Sequence, residues 1–282
     1  MQIGIVGLGV IGGSMAKALK QRTDYRVLGC DVQNSTLCRA KLVGAIDGEL
    51  TPKDLPACDF VILATYPKDT VAYIREHAAA FNPAGIVMDC GGTKKMVCET
   101  VYPIAKQYGF TFVGAHPMAG VAAFGFDSAK DTMFVKAPMI LTPYPDTDIR
   151  ILTRVQQLCF AMGFTRTPAI TPDEHDEMIA YTSQMAHVVS NAYIQNPLAL
   201  THKGYSAGSF RDLTRVAKLN ANMWTELFLE NADHLTDQID LLMEKLAAYR
   251  AAIGTRDEAA LHALLAAGTA YKLESEEKEK GK

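Results

Sequence analysis

The sequence lacks the features that would mark several classes of protein. It has only six cysteines in 282 residues, at positions 30, 38, 58, 90, 98 and 159, and no two of them form a Cys-x-x-Cys pair. A chain of this length buries enough core to do without disulfide staples, so the six read as reduced thiols of a cytoplasmic protein. Neither sign of charge is in excess: 28 basic residues face 31 acidic ones, a net charge of −3. A general nucleic-acid binder needs a basic surface to displace counterions, and that class is excluded. No apolar run reaches the ~20 residues of a membrane-spanning helix. The apolar N-terminus has no basic stretch ahead of it and is broken by glycines, so it reads as structure and not as a signal peptide. No metal-ligand set is assigned. With 49% hydrophobic and 21% charged residues, the chain has the make-up of a globular protein with a sizeable core.

Short apolar runs recur in the first half, at 2–6, 26–30, 59–64, 86–89 and 111–114, with helix-like segments at 14–20, 69–80 and 95–108 between several of them. Alternation of this kind predicts βαβ units and an α/β, Rossmann-type parallel sheet covered on both faces. The nearly all-apolar run 59–64 suits a central strand. A strand at 138–142, a helix at 146–162 and a strand at 164–168 would extend the sheet. At residue 171 the pattern changes. Thr171-Pro172-Asp173-Glu174 combines an N-cap, a proline in the first turn and an acid at the third position, which predicts a helix start. Helices are expected at 173–196 and, as one long element, at 224–253, where apolar residues recur three and four apart. Gly254 should stop that helix, Thr255-Arg256-Asp257-Glu258 should open another, and the charged tail 274–282 should fray. The expected organisation is a dinucleotide-binding domain at 1–170 and an all-helical substrate and dimerisation domain at 171–282. Its long apolar seam points to a homodimer.

Gly7-Leu8-Gly9-Val10-Ile11-Gly12 follows the first strand and opens a helix. The first glycine permits a tight turn, the second lets backbone approach a pyrophosphate, and the third lets helix and strand pack closely. Asp31 stands about 20 residues beyond, at the end of the second strand, where a carboxylate binds ribose hydroxyls and repels a 2′-phosphate. NAD is therefore expected over NADP. Thr65, in the turn after the run 59–64, should face the same ligand edge.

His116 lies in Val113-Gly114-Ala115-His116-Pro117-Met118-Ala119-Gly120, just past a strand and flanked by small residues, which suits a general base. In the helix at 173–196, Gln184, His187 and Asn191 share a polar face. Gly208-Ser209-Phe210-Arg211-Asp212-Leu213-Thr214-Arg215 holds two arginines, one of which could grip a substrate carboxylate while the other pairs nearby. His175, His202, His234 and His262 are assigned surface or capping roles.

Together, the glycine motif with Gly13 and Ser14, the turn Asp89-Cys90-Gly91-Gly92-Thr93-Lys94, the loop His116-Pro117-Met118-Ala119-Gly120 and the helix Arg211-Asp212-Leu213-Thr214-Arg215 resemble the prephenate/arogenate dehydrogenases of tyrosine biosynthesis. The resemblance spans roughly residues 1–250. It implies NAD-dependent oxidation of a cyclohexadienol with loss of CO2, most like a monofunctional prephenate dehydrogenase. His116 would accept a hydrogen bond, or the proton, from the ring hydroxyl, and His187, Arg215, Gly208, Thr93 and Gln184 would contact substrate. Two positions depart from the family pattern. Gly92 stands where many relatives have serine, with Thr93 as a substitute hydroxyl, and Ala122 stands where some have glutamate. The alternatives are an arogenate dehydrogenase, a β-hydroxyacid or imine dehydrogenase on the same plan, and a non-catalytic NAD-binding sensor.

Overall fold

The computed structural model describes residues 1–121 and 123–280. Seven strands, β1 (Gln2–Val6), β2 (Arg26–Cys30), β3 (Gly48–Glu49), β4 (Phe60–Leu63), β5 (Ile86–Asp89), β6 (Thr111–Pro117) and β7 (Met139–Pro143), form one sheet. Their order is β3-β2-β1-β4-β5-β6-β7, all parallel except the antiparallel β6–β7 pair. The alternation of side chains explains why the strand sequences are apolar throughout. Phe60 and Ile62 of β4 join Ile3, Ile5 and Met88 in one buried cluster, while Val61 and Leu63 join Val6 and Val87 in another on the opposite face. Helices α1 (Val10–Arg22) and α5 (Ile149–Met162) cover the first face. Short α2 (Asn34–Leu42) leads to β3, and α3 (Pro67–His77) and α4 (Lys95–Tyr108) cover the second face. The order reverses beside β1, which has β2 on one side and β4 on the other, and ligands of such sheets bind at that switch point.

Two strand expectations are corrected. The segment 164–168 forms no strand; it meets β7 only through isolated bridges, Pro138 with Arg166 and Leu141 with Ala169, and Pro168 has no N–H to continue a ladder. His116 lies within β6, not beyond it, because pairing with β7 carries the strand on to Pro117, with His116 opposite Ile140.

The capping box at Thr171 opens α6 (Pro172–Ile179), with the Thr171 side chain and Glu174 satisfying each other's backbone amides. A π-helical turn, Ala180–Gln184, interrupts the single helix expected here and leads into α7 (Met185–Ile194). Then come α8 (Gly208–Thr214) and α9 (Ala221–Glu230). The long helix expected at 224–253 is broken at Asn231. There the Nδ2 amide donates to the Asp176 carbonyl and to Gln184 Oε1, both at 2.8 Å, so tertiary bonds override a continuous apolar seam.

Residues Met1–Asn231 make one compact unit and Ala232–Lys282 a second. The second holds α10 (Ala232–Thr255) and α11 (Glu258–Lys280), tied by the Tyr249 hydroxyl donating to the Leu264 carbonyl. The cap of α11 is Asp257, whose side chain accepts from the Ala260 amide; Thr255 instead donates back into α10. Helix α11 continues to Lys280, so the tail expected to fray is helical that far, its Lys272–Glu276 and Glu274–Lys278 pairs standing one turn apart. Gly281 and Lys282, the end of that tail, lie outside the described residues. Among the described residues, no helix is long and apolar enough to cross a membrane.

Candidate active site

The glycine turn joins β1 to α1 under steric constraints that its residues meet. Gly7 has φ +85°, and a Cβ there would lie 2.7 Å from the Ala64 carbonyl oxygen; a Cβ on Gly12 would lie 1.9 Å from the carbonyl oxygen of Gly7. At Gly9 a Cβ would meet nothing within 4 Å, so the space over the turn is open. Helix α1 begins with no side-chain cap and no acid in its first turn, which leaves the amides of Val10, Ile11 and Gly12 to an outside acceptor. Open space above an uncapped helix N-terminus fits a pyrophosphate. Asp31 is held beside the turn, Oδ2 accepting from the Leu8 amide and Oδ1 from the Gln33 amide, each at 2.9 Å. A carboxylate has about four lone-pair sites, so two remain for ribose hydroxyls. Leu8 itself is not a ligand position: its side chain is buried in the core and its amide is committed to Asp31. Thr65 reaches the turn from the end of β4. Its methyl is 3.0 Å from where a Gly7 Cβ would stand, and its hydroxyl is bonded to that of Thr70 at 2.8 Å.

A second cluster lies three strands away on the same carboxyl edge. His116 Nδ1 stands 2.9 Å from His175 Nε2, and His175 Nδ1 stands 2.6 Å from Asp176 Oδ1. Asp176 in turn caps α4, accepting from the amides of Lys94 at 2.7 Å and Lys95 at 2.9 Å. Beneath them, buried Lys94 Nζ pairs with Asp89 at the end of β5, which also accepts from the amides of Gly91 and Ala115. Burial, with His175 and Lys94 nearby, pushes the His116 pKa well below its ordinary value; burial likewise lowers that of His175. Both rings are therefore neutral at pH 7, the state a base requires.

His175 is thus no surface or capping histidine, since it is fully buried and wedged between His116 and Asp176. Asp176 and Glu230 are likewise site residues that the sequence does not single out, while Asp89 and Lys94 enter it only as the ends of the turn that carries the resemblance. The only local sign of the cluster is a His-Asp pair in the first turn of a strongly capped helix.

Two expected substrate contacts are committed elsewhere. The Thr93 hydroxyl, almost fully buried, donates to Glu230 Oε2 at 2.6 Å. Burial raises the Glu230 pKa above its ordinary value, and its Oε1 is buried without a hydrogen-bond partner. Gln184 is buried, its Nε2 donating to the Leu227 carbonyl and its Oε1 accepting from Asn231, so it ties the π-turn to α9. His187 is half-buried against Trp224, ring centres 4.0 Å apart, and its Nδ1 donates to the Val216 carbonyl at 3.3 Å. Asn191 donates to the next carbonyl, of Ala217, so this polar face clamps the segment after α8. Arg215 ends α8 and is exposed; burial lowers the His187 pKa, and the nearby Arg215 charge adds to it. Among the described residues neither Arg211 nor Arg215 makes an ion pair, with Asp212 or otherwise. Gly208 opens α8 with free space where a Cβ would be. Ala122 lies outside the described residues.

The sequence and fold match known proteins along almost the whole chain. Residues 15–164 match the prephenate dehydrogenase nucleotide-binding domain, and residues 171–267 the prephenate dehydrogenase dimerization domain. A Bacillus subtilis prephenate dehydrogenase is 29% identical over 263 residues, covering 90% of this chain and 70% of the relative. The crystal structure of Synechocystis arogenate dehydrogenase is 27% identical with a TM-score of 0.82, covering 98% of this chain and all of that one. That of Aquifex aeolicus prephenate dehydrogenase, in complex with hydroxyphenyl propionate and NAD+, is 26% identical with a TM-score of 0.85, covering 97% and 98%. With a nucleotide-binding sheet, a histidine anchored at its carboxyl edge and both domain patterns in order, the chain is a dehydrogenase of the prephenate dehydrogenase family.

Proposed function

We propose that the protein oxidises prephenate with NAD and releases CO2 to give 4-hydroxyphenylpyruvate, a step of tyrosine biosynthesis. The observation that carries the reading is His116, held neutral at the carboxyl edge of the sheet with one ring nitrogen anchored. Bound at the glycine turn, NAD supplies the hydride acceptor. Gly7, Gly9 and Gly12 let it approach, the amides of Val10, Ile11 and Gly12 bind its phosphates, Asp31 holds a ribose and disfavours NADP, and Thr65 lines the same edge. His116 takes the proton of the ring hydroxyl as the carbonyl forms. Loss of CO2 then restores an aromatic ring and runs downhill without a further acid or base. Arg215 holds a substrate carboxylate, His187 contacts the substrate beside it, and Gly208 lets backbone come close. Residues 1–170 act as the dinucleotide domain and 171–282 as the substrate and dimerisation domain. A second copy covers apolar side chains such as Leu246, Ile253 and Leu265, each more than half exposed.

Arogenate is the second reading, favoured by the likeness to the Synechocystis enzyme. Initial NADH formation, measured with prephenate and arogenate side by side, tests both. Turnover of prephenate is the expected result. Turnover of arogenate alone reassigns the side chain, and silence with both overturns the proposal.

A further inference from the structure

We infer that His175 and Asp176 are positioning residues that fix the tautomer of His116, and so direct its Nε2 lone pair at the substrate. The inference rests on the reading of His116 as the base. It follows from the donors and acceptors in the chain of contacts. Asp176 sits at the N-terminus of α4, where both its oxygens accept from backbone amides, so it has only acceptor capacity to offer His175. The His175 nitrogen facing it, Nδ1, must therefore carry the hydrogen. In a neutral imidazole the other nitrogen is then a bare acceptor. That nitrogen, Nε2, faces His116 Nδ1 at 2.9 Å, so His116 Nδ1 carries a hydrogen and donates. His116, neutral in its turn, is left with a lone pair on Nε2, and a proton from a substrate hydroxyl has one place to go.

The same chain serves the charge that follows. When the substrate O–H bond breaks, its proton binds His116 Nε2 while its electron pair forms the new carbonyl. His116 becomes an imidazolium that keeps its Nδ1–H and still donates to His175; nothing is passed on to Asp176. The nearby partner is a neutral ring backed by a carboxylate, which stabilises the cation as a third group does in other base-orienting triads. No hydroxyl group in the turn after β5 does this work. Gly92 has none, and that of Thr93 is committed to Glu230. The groups facing the two rings are Asp176 of α6, Asp89 of β5 and Lys94 before α4. The two rings take up acid as one unit: with both His175 nitrogens engaged, an added proton lands on His116 Nε2, the one bare nitrogen, and switches the base off.

The direct test is 15N–1H NMR of the full-length protein labelled at histidine, because protonated and bare ring nitrogens differ widely in 15N shift. At pH 7.5, with His116 assigned through a His116→Asn sample, the expected pattern is Nδ1–H with bare Nε2 at His116. Finding Nε2–H there overturns the inference without recourse to any variant. Asp176→Asn offers His175 an amide donor and should turn both tautomers over. The expected loss in kcat is on the order of 10²–10⁴-fold, with KM for substrate and NAD changed less than about threefold. His175→Phe should lose about as much. His175→Gln, which restores an acceptor, should recover at least about tenfold, whereas equal activity of the Phe and Gln variants would assign His175 a packing role only. The base and its positioning fail separately. If the wild-type protein turns over neither cyclohexadienyl substrate yet shows Nδ1–H at His116, the functional reading falls and the positioning stands.

Discussion

His116 and His187, the two histidines that the sequence places near a substrate, sit in opposite kinds of surroundings. His116 is in a strand, with its Nδ1 held by a buried ring that is itself held by a capping carboxylate. His187 follows a π-turn, is half-buried, makes one long bond to a loop carbonyl and leans on Trp224 beside an exposed Arg215. The first is set before any ligand arrives, while the second can shift to meet one. Bond-making chemistry gains from groups that need no reorganisation at the moment of reaction, whereas recognition of a substrate tolerates late adjustment.

The sharpest way to break this comparison is to remove each side in turn. His116→Asn should lower kcat by roughly 10²–10⁴-fold while NAD titrations remain as in the wild type. A variant retaining near-full kcat would take His116 out of the reaction. Arg215→Ala should instead raise substrate KM by about 10–100-fold with a smaller change in kcat, since it removes binding common to ground and transition states. An unchanged KM would move the carboxylate contact to Arg211. If both variants acted mainly on kcat, the division into a preset and an adaptable half would fail.

What the sequence reveals divides along a related line. The glycine turn is legible because its main reasons are local: Gly7 has a positive φ, and Gly12 must clear the Gly7 carbonyl. His116 is legible from its place after an apolar run. His175 is not, because its role comes from α6 docking on the start of α4, which brings Asp176 to two amides some 80 residues earlier in the chain. Periodicity likewise gives no hint of the break at Asn231, since the apolar spacing runs straight through it. Only the bonds from Asn231 to Asp176 and Gln184 show why the helix ends there. The commitment of Thr93 to Glu230 is equally a product of tertiary structure.

A smaller effect concerns the cofactor end. Asp31→Ser should raise KM for NAD by about tenfold and improve the relative use of NADP, because it removes both the ribose acceptor and the repulsion of a 2′-phosphate. The loss includes the brace on Leu8, so weaker NAD binding with no gain in NADP use would show that Asp31 serves the turn alone.

Acid should weaken the folded protein through the preset half. His116 and His175 both have lowered pKa values, with burial as the largest cause. Below about pH 6.5 the unfolded chain binds protons at these histidines while the folded chain does not. Stability should therefore fall as pH drops from 6.5 toward the folded values, by up to about 1.4 kcal/mol per pH unit for each group. Urea midpoints at pH 7 and 5.5 measure this, and His175→Gln should flatten the slope. An unchanged slope would mean that His175 is not held neutral.

The smallest change expected is at Gly92, where many relatives of this family have serine. A Cβ there would lie 3.4 and 3.5 Å from the Leu227 methyl carbons, ordinary contact, so Gly92→Ser should fold with a melting temperature within a few degrees of the wild type. Because His116 Nδ1 already has its partner in His175, a hydroxyl at 92 has no vacancy to fill on that side of the ring, and kcat should change by less than about threefold. A rise of tenfold or more would place the new hydroxyl on the substrate. The preset half would then be less complete in this chain than its buried hydrogen bonds imply, with its positioning residues standing in for only part of what a serine at that turn supplies.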